Sequence, residues 1–173
     1  MTTTDTGRVG TPGRVRQVVL PADARELTTL SRVDYEDAFV VDAGGQRTPQ
    51  QWACAVFNDA PLAVRARLVS GWIGLGLKLG GPWSARRVLG WKVQQSSPHA
   101  MLLAADSVLG LQAELLLRTE PRGLLFATLI QQNNSAARAV WVRITARHQA
   151  VVRSLLDHAA RREESAICLA RKG

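Results

Sequence analysis

The chain is poor in the residues that would commit it to a stapled, metal-bound or membrane-embedded fold. Its 173 residues hold two cysteines, Cys54 and Cys168, with no CxxC spacing, which excludes a disulfide framework and a cysteine zinc site. Three histidines leave little room for a histidine-rich metal site, so no metal is expected. No glycine-rich loop ends in GK[ST], no GxSxG elbow or HExxH helix occurs, and Gly74-Leu75-Gly76 lacks the remaining glycine of a dinucleotide turn. No cofactor is therefore expected. The longest apolar run, Leu68 to Leu79, is too short to span a bilayer and carries Lys78. The start, Met1 to Gly13, is Thr- and Gly-rich without the apolar stretch of a signal peptide, which points to the cytoplasm.

What remains is an ordinary globular composition with 46% hydrophobic residues. A chain of this length folds as one domain and buries about 70% of the surface it exposes when unfolded. The expected organisation is a tail over 1–14, a single domain over 15–163 and a frayed end over 164–173. The net charge is +8 and nearly all the basic residues are arginine. Arginines pair well with phosphate. Here they are spread along the chain, with Arg86-Arg87 and Arg161-Arg162 the only adjacent pairs, and GC-rich bacterial codon usage gives the same excess. No specific nucleic-acid partner is expected.

The residue pattern divides the chain into elements. Val15 to Leu20 reads as a short strand stopped by Pro21, Ala22 to Leu30 as a helical turn, and Ala38 to Val41 as a strand ended by Gly44-Gly45. Thr48, Pro49 and Gln51 form a capping box with proline at the first helical position. That helix breaks at Asn58-Asp59-Ala60-Pro61, and a second one runs from Leu62 to Leu79 before Gly80-Gly81-Pro82. Alternating runs then follow at Leu89–Val93, Met101–Ala105, Leu111–Leu117 and Leu124–Ile130, with a hairpin turn at Glu120-Pro121-Arg122-Gly123. Val140 to Thr145 reads as a further strand after a turn at Asn133-Asn134-Ser135. His148, Val151, Val152, Leu155, Leu156 and Ala159 make the apolar stripe of a final helix.

The expected fold is α+β, a curved antiparallel sheet gripping a long C-terminal helix, with two helices between the first strand and the meander. This order resembles the helix-grip superfamily of START and polyketide-cyclase-like proteins, and more narrowly an uncharacterised bacterial family within it. The narrower resemblance rests on Asp34-Tyr35-x-Asp37-Ala38-Phe39, Trp52, Gly90-Trp91 and His148-x-x-x-x-Arg153-x-Leu155-Leu156, between Arg32 and Arg162. It implies an apolar cavity between sheet and C-terminal helix. It implies no activity.

Three constellations carry possible chemistry. Asp34, Glu36 and Asp37 supply either a general acid or base or a charged anchor for an arginine. Tyr35, the only tyrosine, either plugs the core or hydrogen-bonds through its hydroxyl. His148, on the apolar stripe, either faces a ligand or is held at the helix start by backbone or by a carboxylate such as Asp37. Of the five tryptophans, Trp52, Trp72 and Trp91 are the expected cavity walls, while Trp83 and Trp141 complete the set; plain core packing is the alternative for each. The expected function is binding of a small hydrophobic molecule, a lipid or polyketide-like compound, oriented by Arg143 and His148. The alternatives are an enzyme pairing His148 with Asp34 or Asp37 for cyclisation, dehydration or hydrolysis, and a homo-oligomeric or scaffold domain with a filled core and an exposed patch along Leu68–Gly81.

Overall fold

The computed structural model describes residues 15–43, 47–81 and 86–170, with the last eight described by backbone alone. Gly44-Gly45, Pro82, Trp83 and the side chain of Cys168 lie outside the described residues. Seven antiparallel strands form one curved open sheet: β1 Val15–Val18, β2 Tyr35–Asp42, β3 Arg87–Val88, β4 Trp91–Ser96, β5 Ala100–Asp106, β6 Leu111–Glu120 and β7 Gly123–Gln132. Their order is β1-β2-β7-β6-β5-β4-β3, so the meander from β3 to β7 is extended by the two N-terminal strands. The helices are α1 Ala22–Arg25, α2 Pro49–Ala53, α3 Leu62–Gly74 and α4 Ser135–Ala170. This is the expected α+β arrangement of a sheet with a long C-terminal helix and helices ahead of the meander.

The alternation of side chains sorts the two faces. Phe39 pairs with Phe126, Phe126 with Leu117, and Leu117 with Met101, laying one apolar row across four strands. That row belongs to the core covered by α2, α3 and α4. Ala38, Leu102, Leu116, Leu125 and Leu129 point the other way and pack with Leu20, Ala24, Leu27 and Val33. The strand expected to be half-buried at Leu111–Leu117 is therefore covered on both faces. Its Glu114, only 1% exposed, is held by the hydroxyls of Thr28 and Thr29 and by the Thr29 amide at 3.2 Å. A buried carboxylate with three donors is tolerated where an isolated one is not.

Turn chemistry fixes the register. In the β3–β4 turn Leu89 (φ 44°) and Gly90 (φ 92°) both take the left-handed conformation that a two-residue primed hairpin demands. A Cβ on Gly90 would also lie 3.0 Å from Leu79 Cβ. At the β6–β7 turn a Cβ on Gly123 would stand 1.9 Å from the carbonyl oxygen of Val41, so only glycine lets β2 pair there.

The helix ends follow the same logic. Thr48 Oγ1 accepts from Gln51 N at 3.2 Å, and Gln51 Oε1 accepts from Thr48 N at 2.8 Å, the expected capping box. Past Ala53 the helix widens into one π-turn over Cys54–Asn58, and Cys54 is half-buried. Helix α3 stops at Gly74, short of the expected Leu79. Gly76 turns left-handed (φ 68°), and Leu77 N donates to Trp72 O while Gly76 N donates to Ile73 O, a Schellman stop.

One element is corrected outright. Val140 to Thr145 is helix, not strand, because α4 begins at Ser135. Asn134 Oδ1 accepts from Ala137 N at 2.7 Å as its N-cap. Thr145 Oγ1 donates back to Trp141 O at 2.7 Å, so the β-branched side chains are accommodated within the helix.

Candidate functional site

Between α4, α3 and the concave face of the sheet lies a narrow apolar cavity of about 80 Å³. Trp72, Trp91, Phe126, Trp141 and Leu156 form its walls, and Thr128 and His148 are its polar members. It shares Leu68, Trp72, Leu75, His148, Val151 and Leu155 with a groove of about 430 Å³ between α3 and α4. The cavity by itself is below the roughly 300–1,000 Å³ of an ordinary ligand pocket. The interior is thus largely filled, and the space that remains opens outward along the groove.

Aromatic rings set this shape. Trp72 meets Trp91 edge-on at 5.5 Å and Phe57 at 6.1 Å. Trp141 meets Tyr35 at 5.1 Å and His148 at 5.1 Å. Among the described residues the indole N–H groups of Trp52, Trp91 and Trp141 are buried without a hydrogen-bond partner, and the last two of these tryptophans line the cavity. Each such orphan costs roughly 1–3 kcal/mol relative to a satisfied donor.

A polar network borders the cavity. Strand alternation sends Tyr35 and Asp37 of β2 to the concave side, where Asp37 lies directly opposite Thr128 of β7. His148 descends from α4, its Nε2 3.1 Å from Thr128 Oγ1 and 3.4 Å from Asp37 Oδ2. Tyr35 donates to Asp37 Oδ2 at 2.6 Å, and Gln149 donates to the Tyr35 hydroxyl at 3.0 Å. The other carboxylate oxygen, Asp37 Oδ1, is buried without a hydrogen-bond partner among the described residues. Burial pushes the Asp37 pKa up, but His148, by hydrogen bond and charge, together with Tyr35 and Thr128, outweighs it and holds the carboxyl below its ordinary value.

Tyr35 is moved the opposite way. Burial first, then its bond to Asp37 and that carboxylate's charge, raise the phenol pKa well above 10, against a smaller opposing effect from Gln149. A group whose pKa rises on folding stabilises the fold fully below its unfolded value and loses that contribution as pH climbs through the folded one. The chain has one tyrosine, so phenolate absorbance reports Tyr35 alone. The native protein is expected to show no phenolate signal near pH 10, with the signal appearing at once on unfolding in denaturant; half-ionisation near pH 10 in the folded state would contradict this placement.

The structure brings Trp72, Trp91 and His148 of the expected site together. Trp52, on α2, is fully buried with the Arg47 guanidinium 5.0 Å over its ring, and it does not line the cavity. Arg143 is exposed on α4 and lines neither space; Arg147, one turn further on, lines the groove. The acidic group splits. Asp34 takes Arg32 Nε at 2.8 Å and the Gln132 amide at 2.7 Å, and its pKa is lowered first by that amide and then by Arg32. Glu36 pairs with Arg25 at 3.0 Å. Only Asp37 turns inward. Phe39 lies in the core with Arg153 5.5 Å over its ring, and Gly90 shapes a turn. Trp141 and Thr128 were not singled out by the sequence. Trp141 stands seven residues before His148, two helical turns along the same stripe, which is the signal that finds it.

No family model, curated protein or solved structure matches this chain. Among the described residues no helix is long and apolar enough to cross a membrane.

Proposed function

We propose that this protein is a helix-grip binding protein for a small hydrophobic molecule, which lies in the groove between α3 and α4 and inserts its end into the apolar cavity. The observation that carries the reading is the continuity of the two spaces through Trp72, His148 and Leu155, with aromatic walls inside and a wide mouth outside. The orphan indole N–H groups of Trp91 and Trp141 support it, since a buried donor without a partner is a place for a ligand acceptor. Calorimetric titration with decanol tests it. The wild type binds, Trp91→Ala weakens binding by about tenfold or more, and His148→Ala weakens it only about two- to threefold. Failure of both decanol and its anionic analogue decanoate to bind, or equal effects of the two substitutions, overturns the reading.

One observation favours a second reading, acid/base catalysis in the same space: the Asp37 carboxylate beside His148 at the cavity edge. An aspartate there would orient the imidazole for proton transfer. A turnover whose pH–rate profile disappears in His148→Ala supports that reading, and an unchanged profile rejects it.

A further inference from the structure

The groove is one-sided in charge. Arg67 of α3 and Arg147 of α4 line it together with Ser154 and His148, and no aspartate or glutamate does. Both arginines are exposed, and neither has a carboxylate partner among the described residues. Arg16, Arg25, Arg32, Arg118 and Arg161 pair with carboxylates, whereas Arg122 and Arg143, like the groove pair, have none among the described residues; what sets the groove pair apart is its place beside the cavity. Two unpaired guanidinium groups at the mouth of an apolar cavity form the pattern of an anion site with a dry interior behind it, because guanidinium groups bind carboxylate and phosphate oxygens by charge-assisted hydrogen bonds.

From this we infer that the ligand is a single-chain amphiphile with an anionic head, carboxylate or phosphate, held between Arg67 and Arg147 while its apolar end enters past Trp72. This inference rests on the proposed binding function and adds the head-group chemistry to it. The small volume of the cavity, about 80 Å³, limits what enters to the last part of a chain, with the rest lying on Leu68, Leu75 and Val151 of the groove.

The test is calorimetric titration of the full chain with decanoate, decyl phosphate and decanol, in the wild type and in the double variant Arg67→Gln/Arg147→Gln. All three carry the same tail, so the head alone differs. The wild type is expected to bind at least one of the anions about tenfold more tightly than decanol, an advantage that shrinks in high salt because the site is partly exposed. In the double variant the anions lose that advantage and come within about twofold of decanol. Whichever anion binds tighter identifies the head. Equal binding of decanol and both anions by the wild type overturns the anionic head and leaves the binding function standing. Failure of all three to bind overturns both.

Discussion

Replacing Trp52 by alanine is expected to lower the free energy of unfolding by about 3–5 kcal/mol. The side chain is fully buried, α2 carries it onto β5 and β6, and it does not line the apolar cavity. Nothing nearby can follow a ring of that size into the void, so the lost contacts are not recovered. Trp72 provides the internal control. It is half-buried at the cavity mouth, and its removal enlarges a space already open to solvent. Trp72→Ala is therefore expected to cost about half as much stability or less. Urea unfolding followed by far-ultraviolet circular dichroism measures both. Equal losses would mean that the two tryptophans share one environment, contrary to their placement here.

The second large effect concerns Asp37, whose side chain is 1% exposed. Asp37→Ala leaves the Tyr35 hydroxyl and His148 without their carboxylate and is expected to cost about 3 kcal/mol near neutral pH. Asp37→Asn keeps an acceptor for Tyr35 and is expected to cost less. The pH dependence separates a charge effect from packing. Because folding lowers the Asp37 pKa, its contribution is fully present above the ordinary carboxylate value of about 3.8 and is lost as pH falls through the lower folded value. Wild-type stability is thus expected to drop in that acid range and the Asp37→Asn curve to run flatter there. Parallel curves from neutral pH down to about pH 3 would show that Asp37 carries no pH-linked stability.

Much of the fold was legible in the sequence because local chemistry and tertiary demand agree. Thr48, Pro49 and Gln51 start a helix both as a local motif and in the folded chain. The Glu120–Gly123 turn ends one long apolar strand and begins another, and that pair became β6 and β7. Where the two demands diverged, the reading failed. Val140, Val142, Ile144 and Thr145 favour strand when taken alone. Yet Trp141, Ile144 and His148 already lie on the stripe of the following helix, and burial of that stripe on the sheet decides the outcome. Gly76 ended α3 early for a local reason, by taking the left-handed turn.

The candidate site was half legible. His148 and Trp72 declare themselves by position on apolar helical faces, and Trp91 by strand alternation. The role of Asp37, in contrast to Asp34 and Glu36, depends on which face of β2 is inward and on Thr128 standing opposite it. That is a cross-strand fact, and no single segment carries it. Residue type alone points Trp52 and Arg143 to the site, and the helix orientations place one in the core and the other out in solvent.

The most direct test of the binding function is native mass spectrometry of freshly purified protein, followed by organic extraction and mass analysis of what is released. The expected result is a reproducible adduct with an apolar chain that is lost on denaturation, or one that forms on incubation with decanol or decanoate and is diminished in Trp91→Ala. A bare chain mass in every case, including after incubation with both amphiphiles, would contradict it and turn the search toward protein partners.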